Sequence, residues 1–227
     1  MYANERPITN FDELIEEAKI SKARGCGITG GDPLVCFDKT ISVIKLLKSS
    51  FENFHIHLYT SLNLVNEEKL RILEEAGLDE IRFHLDFDNE KYWEKIKLKT
   101  SMKKGVEVPS IPKKDLVKMI NYIKDHVDFI NLNELEYADV NHNTLDEKGF
   151  ELKSDFSYAI SGSEENSIKA LEEFPKLNIH YCTSKLKNSV QFMNRLALRA
   201  KSIKRNFDII NGPSLIRGSI SGKEDLS

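Results

Sequence analysis

The sequence predicts an α/β fold built on a barrel-like, mostly parallel sheet. Short apolar segments alternate with amphipathic ones, and four of the five intervals between predicted strand starts are about 25 to 32 residues, the length of one βα unit. Right-handed crossovers repeated in this way give either a barrel or an open sheet wound on both faces. The nearly even spacing favours the barrel.

Six segments with short apolar runs are predicted as strands. They are Ala23–Gly30, His55–Thr60, Glu80–Phe87, Gly105–Ile111, Phe129–Tyr137 and Leu177–Ser184. The last interval is almost twice as long as the others and contains residues 155–161, which we predict as another strand or an inserted loop.

Local signals place a helix at the start of the chain and a hairpin near its end. Asn10 and Glu13 read as a capping box that begins a helix over Phe11–Ser21. Asn211-Gly212 between two apolar runs predicts a β hairpin. We therefore expect a barrel domain over residues 1–204 and the start of a small β appendage over residues 205–227.

Composition bounds the class of protein. The chain has 227 residues, 40% of them hydrophobic and 30% charged, with a formal net charge of -3, which is typical of a soluble globular protein. This balance predicts neither nucleic acid nor a membrane as a partner. Three scattered cysteines and the lack of an apolar leader at Met1 favour a reducing, cytoplasmic location.

The segment Gly30-Gly31-Asp32-Pro33 is the strongest functional signal in the chain. It follows a short apolar strand and precedes a helix, at the carboxyl edge where α/β proteins bind ligands. Paired glycines tolerate positive φ and carry no Cβ, so a ligand can approach the backbone itself. A tight turn with no ligand is the alternative explanation.

Polar residues and prolines also gather where the next four predicted strands end. Because the carboxyl tips of parallel strands meet at one edge of a sheet, we expect these residues to surround one pocket. In chain order they are Thr60, His84 and Asp86, Pro109 and Ile111, and Asn133 and Glu134.

The glycine segment resembles the Gly-Gly-Glu-Pro motif of radical S-adenosylmethionine (radical SAM) enzymes, with Asp32 in place of Glu. The strand tips follow in a similar order, and the chain is similar over nearly its whole length to a largely archaeal branch related to pyruvate formate-lyase activating enzymes. The resemblance implies a partial TIM-like (β/α)6 barrel that lacks its first strand.

The resemblance also implies S-adenosylmethionine and a [4Fe–4S] cluster as cofactors, with reductive cleavage giving a 5′-deoxyadenosyl radical that abstracts hydrogen from an unidentified small-molecule or protein substrate. The loop's backbone and acid would hold the amino group of the methionine, and the strand through Pro109 would meet adenine. The residues carried over as S-adenosylmethionine-binding are Gly30, Gly31, Asp32, Pro33, Thr60, His84, Asp86, Pro109, Ile111, Asn133 and Glu134.

The chain departs from this family at the cluster. The family's Cys-x-x-x-Cys-x-x-Cys loop would precede the helix at Phe11–Ser21, and it does not occur in these residues. Cys26, Cys36 and Cys182 are too scattered to replace it. We therefore expect either a fragment of such an enzyme or a homologue without the cluster.

Two alternatives remain open from the sequence. A metal-dependent hydrolase on a similar barrel would use histidines and carboxylates. Its ligands would come from His55, His57, His84, Asp86, Glu107, Glu134 and His180. A non-catalytic remnant that binds a small molecule or a partner is the other alternative, and exposed sheet edges would then favour an oligomer.

Overall fold

A computed structural model describes residues 1–112, 114–138 and 141–218. Its chain contacts divide the protein into two compact units, Arg24–Ser184 and Met1–Ala23 with Lys185–Ser227. Within the described ranges, none of the helices has both the length and the apolar character that crossing a bilayer requires.

The strands are numbered here in chain order: β1 (Tyr2–Ala3), β2 (Arg6–Pro7), β3 (Gly25–Ile28), β4 (His55–Ser61), β5 (Glu80–His84), β6 (Lys103–Ser110), β7 (Phe129–Glu134), β8 (Ile179–Cys182), β9 (Ile209–Asn211) and β10 (Ser214–Ile216). The α-helices are α1 (Phe11–Ile20), α2 (Phe37–Ser50), α3 (Glu67–Ala76), α4 (Leu116–Ile123), α5 (His142–Glu147), α6 (Ser163–Glu173), α7 (Ser184–Leu186) and α8 (Met193–Ile203). Leu62–Leu64 and Glu90–Lys97 form 3₁₀ helices, and Lys187–Phe192 forms a π-helix.

The larger unit contains one sheet of six parallel strands in the order β3-β4-β5-β6-β7-β8, curled into a half-barrel. The predicted partial barrel is therefore confirmed. Because every strand runs in the same direction, the residues after each strand lie at one edge of the sheet. The loop at Gly30 and the residues after Pro109 consequently lie at the same edge.

Strand ends differ from prediction where turns begin early. β5 ends at His84 instead of Phe87, because the carboxylate of Asp86 accepts a hydrogen bond from the Asp88 amide (2.8 Å) and turns the chain. In the region predicted as a strand or a loop, Ala159 and Ile160 form isolated bridges to Glu136 and Leu152. This region is an irregular insertion between β7 and α6.

Alternation along the strands separates an apolar face from a polar one. The apolar face includes Ile56, Leu58, Ile81, Phe83, Val106, Val108, Ile130 and Leu132, each no more than 1% exposed. Helices α2, α3 and α4 add the fully buried Ile44, Leu47, Leu73, Met119, Ile120 and Ile123 to the same core. The other face of the sheet carries polar side chains, which is where a site can be built.

The smaller unit contains the predicted helix and hairpin. The Asn10 side chain caps α1 by accepting a hydrogen bond from the Glu13 amide (3.0 Å), while Glu13 reaches back to the Thr9 amide (2.6 Å). β9 and β10 pair antiparallel across Asn211-Gly212, which confirms the hairpin. Asp208, which is 3% exposed, fixes its base by two hydrogen bonds from Arg217 (2.7 and 2.6 Å).

Candidate functional site

The loop after β3 is open and left-handed at both glycines. Gly30 has φ +90° and Gly31 has φ +94°, and a Cβ built on either one would meet no atom within 4 Å. Backbone conformation, and not packing, therefore requires glycine here. Neither glycine's amide or carbonyl is hydrogen-bonded to another described residue, so these peptide groups are available to a ligand.

Asp32 fastens this loop to the end of β4. Its Oδ1 accepts hydrogen bonds from the Leu34 amide (3.0 Å) and the Thr60 hydroxyl (2.7 Å). Its Oδ2 accepts from the Ser61 amide (2.8 Å) and the Ser61 hydroxyl (2.7 Å). A carboxylate has about four acceptor positions, so the protein itself fills those of Asp32. We call this arrangement of Asp32, Leu34, Thr60 and Ser61 the Asp32 clasp.

The clasp keeps Asp32 ionised. Burial acts to raise the pKa of the half-buried carboxyl, but the hydrogen bonds from Ser61, Thr60 and Leu34 outweigh burial, and its pKa lies below the ordinary value. On the far side of the loop, the Pro33 carbonyl accepts a hydrogen bond from the buried Thr40 hydroxyl (2.8 Å). The loop is thus held from both sides while its glycines stay open.

A cavity of about 690 Å³ lies at the same edge of the sheet, beyond the ends of β4, β5 and β6. Four of the predicted site residues line it, namely His84, Asp86, Pro109 and Ile111. The lining does not include the Gly30–Pro33 loop, Thr60, Asn133 or Glu134. Ser61 belongs both to the cavity wall and to the Asp32 clasp, and so connects the loop to the cavity.

Four aromatic residues line the cavity, and sequence reasoning missed them. They are Phe87, Tyr92, Trp93 and Phe150. Trp93 is 3% exposed, donates from Nε1 to the Asp86 carbonyl (2.9 Å) and packs edge-on against Phe87. A single tryptophan placed shortly after a strand tip was the available signal.

The structure gives three predicted residues positions outside the cavity. Glu134, 6% exposed, accepts hydrogen bonds from the amide (2.8 Å) and hydroxyl (3.1 Å) of Ser184. Thr60, 3% exposed, belongs to the Asp32 clasp. Asn133 donates to Glu107 Oε1 (3.0 Å) on the polar face of the sheet. Each has a local structural partner that accounts for its polarity.

A charged network runs across the polar face between β4 and β7. Arg82 contacts Glu80 (2.6 Å), Glu107 (2.9 Å) and the Tyr59 hydroxyl (2.8 Å), and its guanidinium lies 5.2 Å from the Tyr59 ring centroid. Burial acts to raise the pKa of Glu107, but hydrogen bonds from Asn131 and Asn133, together with Arg82, hold it below its usual range. This network links β4, β5, β6 and β7 across the polar face of the sheet.

The predicted hydrolase ligands do not assemble into one site. Within residues 1–112, 114–138 and 141–218, the one group of three or more His, Cys, Asp or Glu side chains close enough to share an ion is His55, His57 and Glu80. It lies at the amino ends of β4 and β5, away from His84 and Asp86. Burial and the charge of Arg82 lower the pKa of His57 to about 4.

The three cysteines do not fit a [4Fe–4S] cluster. Cys26 lies in β3 and Cys182 in β8, the two edge strands of the sheet, and Cys36 precedes α2. Burial raises the pKa of the Cys26 thiol to about 11, whereas cluster ligands must be thiolates. No group of three cysteines gathers among the residues described.

Comparison with known proteins identifies the family of this chain. The pattern of the radical SAM superfamily matches residues 1–132. A protein of Methanocaldococcus jannaschii, whose name proposes it as a glycyl-radical enzyme activating enzyme, is 43% identical over 230 aligned positions. That alignment covers 95% of this chain and 61% of the longer relative. The chain belongs to the radical SAM superfamily.

Proposed function

We propose that this chain binds S-adenosylmethionine along the carboxyl edge of its half-barrel and that the protein acts in the activation of a glycyl-radical enzyme. The observation that carries the proposal is the pair of open, left-handed glycines at the tip of β3, whose peptide groups have no partner among the described residues. The superfamily match and the name of the archaeal relative support it.

Each part of the edge has a role in this proposal. The peptide groups of Gly30 and Gly31 bind the amino-acid end of the ligand, because nothing lies within 4 Å of the place where a Cβ would stand and a ligand can reach the backbone there. Asp32 acts as a positioning residue, because its acceptor positions are filled by Leu34, Thr60 and Ser61. This differs from the direct contact that the family resemblance implied for its carboxylate.

The cavity takes the nucleoside end of the ligand. Its volume, about 690 Å³, lies within the range of about 300–1,000 Å³ usual for small-molecule sites. Apolar walls from Pro109, Ile111 and Trp93 suit a flat aromatic base and exclude water from it. Ser61 links the two ends, because it contacts Asp32 and lines the cavity.

Bound S-adenosylmethionine supplies a 5′-deoxyadenosyl group in this superfamily. The [4Fe–4S] cluster that the superfamily uses does not fit the cysteines described here. The chain's own residues bind, orient and shield the ligand.

Saturation-transfer difference NMR with S-adenosylmethionine tests the proposal, because it detects weak binding and resolves both ends of the ligand. We expect saturation of the adenine protons and of the methionine methyl group. Gly31→Ala should reduce the methionine signal, and Ile111→Ala should reduce the adenine signal. Absence of saturation in the parent chain would overturn the proposal.

Matched controls separate binding from strain. Gly212 also has positive φ (+57°) and open space around it, but it lies in the β9–β10 hairpin, so Gly212→Ala imposes a similar backbone cost away from the site. Ile168→Ala removes an exposed side chain from α6. Both controls should leave the ligand signals unchanged, and equal losses in Gly31→Ala and Gly212→Ala would contradict the assignment of the loop.

A further inference from the structure

We propose that His55, His57 and Glu80 form a Zn²⁺ site at the amino ends of β4 and β5. The site lies at the end of the sheet opposite the glycine loop and is independent of the proposed S-adenosylmethionine site. One ring nitrogen from each histidine and one oxygen of Glu80 lie within 4.8 Å of one another.

Strand geometry brings the three side chains to one face. His55 and His57 are two residues apart in β4, so both point to the same side of the sheet. The register pairs His57 with Glu80 on the neighbouring strand. Nε2 of His55 lies 3.8 Å from Oε2 of Glu80, close to the separation of about 3.4 Å between two ligands of a tetrahedral zinc with bonds near 2.1 Å.

Among residues 1–112, 114–138 and 141–218, no hydrogen bond occupies the proposed ligand atoms. His57 Nδ1 is buried and has no hydrogen-bond partner among the described residues, which costs free energy unless a bound ion or water satisfies it. The other oxygen of Glu80, Oε1, accepts the hydrogen bond from Arg82, which leaves Oε2 facing His55. His55 is half exposed, so an ion can enter from solvent and the ring can adjust.

Strand β3 leaves room for the imidazoles. Gly25 is in register with His55, and Gly27 is in register with His57. A Cβ at Gly27 would lie 2.5 Å from Nε2 of His57, and a Cβ at Gly25 would lie 2.4 Å from the His55 carbonyl oxygen. Any side chain at Gly27 would displace the ring, so this glycine is needed for the cluster to exist.

Neighbouring groups orient the ligands, as carboxylates and their partners do in metal sites. Oδ2 of Asp79 is anchored by Lys48 (2.6 Å) and the Ile56 amide (2.6 Å) and lies 4.0 Å from Nδ1 of His55, while Nε2 of the same ring faces Glu80. Arg82 fixes Glu80 and shares its own charge with Glu107 (2.9 Å). The positive charge of Arg82 beside the site is therefore partly offset by the carboxylate of Glu107.

The donor set favours a borderline transition-metal ion over a hard cation. Two imidazoles and one carboxylate suit Zn²⁺, whereas Mg²⁺ and Ca²⁺ prefer all-oxygen sites. Three protein ligands leave a fourth position for water. The ion would link β4 to β5 at the amino ends of these two strands.

Isothermal titration of untagged, metal-free protein with Zn²⁺ tests the proposal, with Co²⁺ absorption as a second probe. We expect one site per chain, a higher melting temperature with zinc, and Co²⁺ bands without thiolate charge transfer. His57→Ala and the shape-preserving Glu80→Gln should each weaken zinc binding at least tenfold. His180→Ala removes an exposed histidine from β8 and should change nothing.

The outcomes are distinct. Unchanged zinc affinity in Glu80→Gln, with circular dichroism matching the parent, would overturn the site even if His57→Ala fails to fold. A thiolate band in the Co²⁺ spectrum would place the ion on cysteine and would also overturn it. Loss of S-adenosylmethionine signals with intact zinc binding would refute only the proposed function.

Discussion

Removing the Asp32 carboxylate should destabilise the protein as well as disorganise the glycine loop. Asp32→Ala deletes an acceptor that takes four hydrogen bonds, two of them from Ser61. A hydrogen bond to a charged group contributes about 1.5–3 kcal/mol, but contributions in one network are not additive. Because the carboxylate is half-buried and water can re-solvate some donors, we expect a loss of about 3 kcal/mol in total.

Two further variants calibrate this estimate. Asp32→Asn keeps one carbonyl oxygen for Leu34 and Thr60 but turns an amide group towards the Ser61 amide, so we expect a loss of about 2 kcal/mol. Asp38→Ala removes an exposed acid from the first turn of α2. Its loss should not exceed about 1 kcal/mol, the usual helix-dipole contribution.

The effect should depend on pH in a defined direction. The pKa of Asp32 is lowered in the folded state, so its stabilisation is complete above the unfolded value of about 3.9 and is lost as pH falls through the folded pKa. The gap between the parent chain and Asp32→Ala should therefore be full at neutral pH and narrower at about pH 3.

Urea unfolding followed by fluorescence measures these differences. Trp93 is the single tryptophan, is buried, and lies in the same unit as the loop. Equal losses of stability in Asp32→Ala and Asp38→Ala at neutral pH would refute the clasp. A gap that stays constant down to about pH 3 would show that the charge of Asp32 is not responsible.

Three other outcomes follow from the structure. After anaerobic reconstitution with iron and sulfide, this chain should not hold a stoichiometric [4Fe–4S] cluster, because its cysteines lie on separate elements; iron and sulfide analysis checks this. NMR titration in zinc-free buffer should find His57 neutral down to about pH 5, because its pKa is lowered to about 4. The folded state should therefore lose stability as pH falls from about 6.5 to about 4, because in this range the unfolded chain binds a proton at His57 and the folded chain does not. An ordinary titration midpoint would contradict the burial of His57. Gly105→Ala should cost about 1–3 kcal/mol, because the new Cβ would lie 2.2 Å from the Phe129 ring, whereas Gly218→Ala meets no neighbour within 4 Å and should be neutral in thermal unfolding.

The sequence by itself determined the parallel half-barrel, the hairpin and the position of the glycine loop. These features rest on local rules. Alternation of apolar runs sets strands and helices, Asn211-Gly212 sets a tight turn, and paired glycines after Ile28 set a loop with positive φ. Gly30 and Gly31 lie at the edge that their place after a strand predicts, because parallel strands end together.

Tertiary structure alone decided what the polar side chains do. Strand register and side-chain alternation place Glu134 against Ser184 and Thr60 against Asp32, although both lie at the ends of strands, as His84 does. Thr60 and Ser61, at the end of β4, donate three hydrogen bonds to the Asp32 carboxylate. The Thr60 contact spans 28 residues of sequence, so no local pattern encodes it. The pairing of Gly27 with His57 likewise needs the strand register. Local sequence fixes where the backbone turns, but long-range pairing fixes which donors each side chain meets.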